Sequence, residues 1–349
     1  MCKVLPNIIH PDQCAYLKDR LISDAIRPID DVMWYTRSRD IEGMPVAIDF
    51  EEAFDSVGLK FLIRGLEAFN FGSCVMNNGY TSHYFDLGRG VRQGDPLSAY
   101  LFITVIEKLL IGIRGDKSIR GIPVNGKEIK LTSFADDMTT FLKELKSFDY
   151  LMKKLDQFGK CAGLKMNESK TEALWLGPPK RTNLHDILKL TDTSEPPKIL
   201  GIYFTYDEKL RDKLNFDSTL ESVRKLLTQW KRRGLTIMGK IQVLKSLIIP
   251  KFLYRLTNIS SSGGIIKEIN KIMYHFIWNG KDKIKRSAII NDIENGGLRM
   301  THLETAIQAQ RIMFLKRYVS NDNRAWKDIL DSCLRNVRGK FLLQCNFAF

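Results

Sequence analysis

No run of eighteen apolar residues occurs in this sequence, so no segment reads as a membrane-spanning helix. The opening residues, Met1 to Pro6, lack the apolar core of a secretory signal, which argues against export. Cysteine is sparse and scattered, at Cys2, Cys14, Cys74, Cys161, Cys333 and Cys345. No CxxC pair is present, so neither a zinc ribbon nor a thioredoxin-like motif is indicated. Free thiols in a reducing compartment are the plain reading. No internal repeat or low-complexity tract stands out.

What is present is the balance of a globular protein. Hydrophobic residues make up 44% and charged residues 27% of the 349, which argues against disorder. The net charge of +14 is unevenly placed. Residues 1–150 hold 18 Lys+Arg against 21 Asp+Glu, a net of −3, whereas residues 151–349 hold 36 against 19, a net of +17. A basic half of this kind suits a polyanion, most simply nucleic acid, with a solvated helical surface as the alternative.

Val46 to Phe50 reads as a short buried strand that carries a carboxylate, Asp49. The apolar spacing of residues 53–69 predicts one amphipathic helix. Asn77-Asn78-Gly79 signals a hairpin between Cys74–Met76 and Tyr84–Leu87. A mostly apolar helix follows over 98–113. Ile129–Phe134 and Met138–Leu142 read as two strands joined by a tight turn at Ala135-Asp136-Asp137. A helix over 147–162 is stopped by Gly163, and Lys198–Phe204 is a further strand. This order predicts an α+β domain with an antiparallel sheet, ending near Tyr206. Beyond it the pattern is helical and basic, over 220–233, 237–249, 265–278 and 303–318, with Ser260–Gly264 as a loop.

Asp136 and Asp137 stand side by side between apolar strands, where like charges repel and unpaired ions are costly to bury. A pair of magnesium ions would resolve the conflict, because hard carboxylate oxygens suit that cation. Two such ions, about 4 Å apart, clamp the attacking and leaving oxygens of a phosphoryl transfer. The alternative is an ordinary Asp-rich turn.

The company of these residues is specific. Ala47-Ile48-Asp49-Phe50-Glu51-Glu52-Ala53-Phe54-Asp55 resembles the first catalytic motif of LINE-type, non-LTR reverse transcriptases. Gly90-Val91-Arg92-Gln93-Gly94-Asp95-Pro96-Leu97-Ser98 resembles the second, and Phe134-Ala135-Asp136-Asp137 is similar to the family's F/Y-A-D-D box. Gly163 to Glu172 resembles the fourth motif and Lys198 to Ile202 the fifth, or primer grip. His10-Pro11-Asp12-Gln13 and Lys18-Asp19-Arg20 resemble the end of the fingers.

The resemblance implies a right-hand polymerase palm, an antiparallel sheet with packed helices, followed by an all-helical thumb and C-terminal region. The expected bounds are partial fingers over 1–43, palm over 44–206, thumb over 207–260 and a helical extension over 261–349. It implies an RNA-directed DNA polymerase that adds deoxynucleoside triphosphates to a DNA primer on an RNA template, with two Mg2+ ions on Asp49, Asp136 and Asp137. Phe54 would be the steric gate against ribose, or else a core residue. Gln93 and Gly94 would contact the nascent base pair, Arg92 would steer phosphate, and Arg20 would lie near the triphosphate. Lys170 would serve the leaving pyrophosphate, or else be a solvated lysine. Ser98 has a rival reading as a helix-start residue. Leu200 and Gly201 fall in the primer grip, and Lys225, Lys231, Arg232 and Arg233 would meet nucleic acid.

Residence would be intracellular, in the nucleus or a cytoplasmic ribonucleoprotein, and no membrane contact is expected. Three departures stand against the pattern. Asp19 replaces a usual glycine, Gly58-Leu59 replaces a usual acidic-aromatic pair, and about a dozen residues are expected but absent after Phe71-Gly72. The early fingers would be missing before Met1. The alternatives are a decayed reverse transcriptase-like chain that binds nucleic acid without polymerising, and a metal-dependent nuclease.

Overall fold

The computed structural model describes residues 4–68, 90, 96–178, 184–190, 196–319 and 325–335. The chain forms two compact units, one of Met1–Leu200 with Asn323–Phe349 and one of Gly201–Asp322. Among the described residues no helix is long and apolar enough to cross a membrane.

The first unit runs α1 (Leu5–Ile8), α2 (Ile22–Ser38), β1 (Met44–Ile48), β2 (Phe50–Glu51), α3 (Ala53–Ser56), α4 (Leu59–Ala68) and α5 (Pro96–Gly115). It continues with β3 (Ile122–Val124), β4 (Lys127–Ile129), β5 (Leu131–Phe134), β6 (Asp137–Leu142), α6 (Leu145–Ala162), β7 (Lys165–Met166), β8 (Glu172–Ala173), α7 (Leu184–Leu188) and β9 (Lys198–Ile199). Its main sheet has the order β5-β6-β1-β8, antiparallel at every pairing. The α+β expectation therefore holds. Two inner strands carry an apolar face, Met44, Val46 and Ile48 of β1 and Met138 and Leu142 of β6, interrupted by the buried Thr140. Against that face lie α5, through Phe102, Ile106, Leu109 and Ile113, and α6, through Phe148, Leu151 and Leu155. The 3.6-residue spacing in α6 buries these three, while most of its charged residues are exposed and Lys154 pairs with Asp116.

The second unit is helical: β10 (Ile202–Tyr203), α8 (Glu208–Lys231), α9 (Ile237–Val243), α10 (Ile249–Asn258), α11 (Gly263–Trp278), α12 (Arg286–Ile290) and α13 (Leu303–Val319). Asp207 caps α8, its carboxylate accepting from the amides of Lys209 and Leu210. Asn215 of α8 exchanges two hydrogen bonds of 3.0 Å with the backbone of Tyr203. A last helix, α14 (Ala325–Arg335), belongs to the first unit and packs on α2, where Arg39 donates to Ser332 Oγ at 3.2 Å.

Several sequence expectations need correction. The single helix expected over 53–69 is two, because the backbone between them is engaged elsewhere. Gly58 N donates to Ala162 O and Gly90 N to Val57 O, both at 2.8 Å. Lys198–Phe204 is not one strand, since Leu200 and Gly201 take left-handed φ of 48° and 79° and turn the chain. The helix expected to end at Ile249 runs on to Asn258. A π-helical stretch, Leu244–Ile248, precedes Pro250 and absorbs the missing amide. The helix expected over 98–113 begins at Pro96, so Ser98 lies in its first turn, where it is buried. The loop expected over Ser260–Gly264 is shorter, because α11 starts at Gly263. The hairpin expected over 74–87 and the shortening after Gly72 lie outside the described residues.

Gly163 is required at its position. It ends α6 with φ 80°, and a Cβ there would stand 2.4 Å from Ser56 O. Gly126, at φ 77° in the β3–β4 turn, has nothing within 4 Å of such an atom. Gly163→Ala should cost about 2–4 kcal/mol and Gly126→Ala about 1 kcal/mol. Urea unfolding of the two variants reads this directly. Equal losses would mean that the approach of α3 to the end of α6 relaxes freely.

Candidate active site

The site is built by strand register. β5 and β6 pair from Leu131↔Thr140 to Phe134↔Asp137, leaving Ala135 and Asp136 as a two-residue turn. Asp137 is thus the first residue of β6 rather than part of the turn. β6 pairs with β1 down to Ile48↔Met138, and Asp49 follows one residue beyond. Asp49, Asp136 and Asp137 therefore share one end of adjacent strands, although Asp49 lies far off in sequence.

Their electrostatics reflect this. Asp137 is open to solvent on its outer edge, yet its carboxyl is pushed up to about 6, first by the protein crowded around it, then by Asp136 and Asp49. Asp136 is also raised, first by burial; its own backbone amide opposes the shift and Asp49 adds to it. A cation sits nearby. Lys170 Nζ lies 3.8 Å from Asp49 Oδ2, carried there by a tight loop. In that loop Asn167 N donates to Asp49 O at 2.8 Å, and Thr171 Oγ1 donates to Asn167 O at 2.8 Å.

Among the described residues no three acidic, histidine or cysteine side chains are gathered tightly enough to ligate one ion as they stand. The donor chemistry nevertheless fits a hard divalent cation: three carboxylates at one strand end, two of them with raised proton affinity, and one lysine as counter-charge.

Phe54 is half-buried in α3. Its ring stacks on the fully buried Phe102 at 4.4 Å between centroids and 23° between planes. One face of the ring is thus backed by core. Arg92, Gln93 and Gly94 lie outside the described residues.

Arg20, expected near the triphosphate, is engaged by the backbone around it. Its guanidinium donates to four backbone carbonyls: His10 O at 2.7 Å, Gln13 O at 2.6 Å, Ile9 O at 2.8 Å and Pro6 O at 3.2 Å. It pins the segment that runs into the active site. Asp19 holds the backbone that a glycine would, at φ 63°, a conformation aspartate tolerates.

Two residues at the site were missed. Gln13 is completely buried and hydrogen-bonds the acidic turn. Tyr16 has its hydroxyl proton held more tightly than usual, by burial and by Asp136. Gln13 was visible only as part of a family-like string, without any signal of its own.

In the second unit, α8 and α11 enclose a groove. Its floor is Leu227, Ile272 and Phe276, and its cations are Arg224, Lys231, Lys267 and Lys271. Arg224 pairs with Glu268. Of the four cations expected to meet nucleic acid, Lys231 lines the groove. Lys225 is tied to Glu221 at 2.7 Å, and Arg233 stacks over Trp230 at 4.7 Å. Arg232 closes the end of α8, its amide donating to Gln229 O. Lys240 Nζ donates to Ile277 O at 3.0 Å and is held below the usual lysine range by burial, then by Lys231 and Lys283.

A family model described as reverse transcriptase (RNA-dependent DNA polymerase) matches residues 1–204. The Transposon TX1 uncharacterized 149 kDa protein of Xenopus laevis is 26% identical over 96% of this chain and 27% of its own length. The Pol polyprotein of the type-2 retrotransposable element R2DM of Drosophila melanogaster is 26% identical over 66% of this chain and 24% of its own. The chain thus spans about a quarter of the length of these relatives. The structure of Candida albicans telomerase aligns over 92% of this chain at 12% identity and a TM-score of 0.43.

The hydrogen bonds of Arg20 give a testable outcome. Arg20→Lys cannot satisfy four carbonyls with one ammonium, so it should destabilise the chain by about 2 kcal/mol in urea unfolding. Unchanged stability with weakened nucleotide binding would return Arg20 to a substrate-facing role.

Proposed function

This chain belongs to the reverse transcriptase family, in its non-LTR, LINE-type branch, and we propose that it copies RNA into DNA, adding deoxynucleotides to a primer 3′-hydroxyl. The observation that carries the reading is the common edge of Asp49, Asp136 and Asp137, with Lys170 beside it. Residues 44–206 would be the palm, 1–43 part of the fingers, 207–260 the thumb and 261–349 a helical extension.

The family generally uses divalent metal ions. Here Asp49 and Asp136 would hold two magnesium ions, with Asp137 assisting. When bound, such ions supply Lewis-acid stabilisation of the attacking and leaving oxygens. Lys170, close to Asp49, would offer charge or a proton to the leaving pyrophosphate. Phe54, backed by Phe102, would lie beneath the sugar and exclude a ribose 2′-hydroxyl. Arg92, Gln93 and Gly94 would meet the incoming nucleotide and template. Leu200 and Gly201 would support the primer end through their left-handed backbone.

The cationic groove of α8 and α11 would take nucleic-acid phosphates, which supports binding independent of sequence. That groove is equally at home in a chain that binds without polymerising. The shortening after Phe71-Gly72 favours this second reading, and the retained carboxylates favour the first.

Primer extension with magnesium on a poly-rA template separates them. Wild type should extend, and Asp136→Asn should lose about 10²–10³-fold or more of the rate while binding primer–template unchanged. Phe54→Ala should incorporate ribonucleotides. Binding without extension by either protein would support the second reading and end the first. For the groove, alanine at Lys231, Lys267 and Lys271 should flatten the slope of log affinity against log salt, by up to about 0.9 for each phosphate no longer neutralised. Lys225→Ala should leave it unchanged. Equal slopes in all three proteins would reduce the groove to a solvated surface.

A further inference from the structure

We propose that Gln13 is the positioning residue of the acidic turn, its side-chain amide fixing the backbone of Ala135 and so the direction of Asp136. This rests on the reading of Asp49, Asp136 and Asp137 as the reaction centre.

A primary amide has two N–H donors and one carbonyl with two lone pairs. Gln13 uses them all, at zero solvent exposure. Nε2 donates to Ala135 O at 3.1 Å and to Ser133 Oγ at 3.0 Å. Oε1 accepts from Ala135 N at 2.9 Å and from Ala15 N at 3.0 Å. One side chain therefore grips both the N–H and the C=O of the residue that precedes Asp136. The peptide planes on either side of Ala135 are fixed together.

That residue needs gripping. Ala135 has φ 57°, the left-handed region that disfavours any residue with a Cβ. Two forces act to open the turn: this backbone strain, and the mutual repulsion of Asp136, Asp137 and Asp49. The clamp opposes both. It is itself anchored, since Ser133 N donates to Asp12 O at 2.9 Å and Cys14 N to Ser133 O at 2.8 Å. Behind it, Arg20 donates to Gln13 O. Asp12 is flanked by His10 at 3.0 Å and Arg114 at 3.7 Å, and Arg114 pairs with the buried Glu107. Positional information thus passes from Arg20 to Gln13 to Ala135 to Asp136.

Gln13→Met keeps the volume and removes every hydrogen bond. Two readouts are taken on the full chain: hydrogen exchange by mass spectrometry over the peptide spanning 131–142, and Mn2+ affinity by electron paramagnetic resonance. The turn should exchange about tenfold faster while peptides from β1 and α6 keep their protection. Mn2+ affinity should fall about 10–100-fold, as when the partner that orients a metal ligand is removed. Adding Ala135→Gly, which lets residue 135 take φ 57° without strain, should restore part of that affinity. Unchanged protection of the turn would overturn the proposal, as would a loss of affinity shared with a uniform loss of protection. Should wild type bind no Mn2+, the metal reading fails, and the exchange comparison alone still decides the clamp. If Gln13→Met does not fold, Gln13→Glu is read in the same assays, because it keeps the acceptor for Ala135 N and cannot make both donor bonds, to Ala135 O and Ser133 Oγ, at once.

Discussion

Like charges brought together at the end of two strands set the terms for the first unit. Asp136 and Asp137 stand at the β5–β6 turn beside Asp49; burial, then Asp49, raises the proton affinity of Asp136, and burial, then Asp136 and Asp49, that of Asp137. A backbone free to relax would separate them. Here it is held by the antiparallel register of β1 with β6, by the clasp of Gln13 on Ala135, and by the packing of α5 and α6 beneath the sheet. Lys170 offsets part of the charge. A carboxylate group under such constraint is preorganised for a cation, which is how a fold can spend stability on chemistry.

The same constraint explains why structural residues crowd the segment before α2. Pro6 to Arg20 makes no long element, yet Arg20 gathers four of its carbonyls and its Gln13 enters the turn. Glu107, nearly fully buried in α5, is neutralised by Arg114, which also approaches Asp12. Unpaired, either charge would be costly there. The second unit follows different physics. Its cations outnumber its acids and line a groove with an apolar floor, and Lys240 is buried against Phe276 and Ile277. Such a surface suits a phosphate backbone better than a defined small ligand.

Asp49, Asp136 and Asp137 were legible in the sequence because carboxylates interrupt apolar strands there, and because hairpin pattern and motif order agreed. The sheet was legible for the same reason, as short buried runs, Val46–Phe50 and Met138–Leu142, that meet carboxylates at one end. Gln13 was not, since a lone glutamine in an irregular segment has no periodicity, and its value appears only beside a left-handed Ala135. The hydrogen bonds of Arg20 to four backbone carbonyls were not legible, because sequence does not display which carbonyls a guanidinium will reach. The break between α3 and α4 came from hydrogen bonds to distant residues, Ala162 and Gly90, and local spacing carries no trace of those. The helix expected to end at Ile249 continues through Pro250 by way of a π-helical turn.

The central claim is that the three carboxylates form one metal-dependent centre. Anomalous diffraction from crystals of the chain soaked with manganese, with primer–template and a non-reactive nucleotide bound, tests it most directly. The account predicts a manganese peak within coordination distance of both Asp49 and Asp136, lost in Asp136→Asn. A peak elsewhere, or none at these residues in a chain that extends primers, would contradict it.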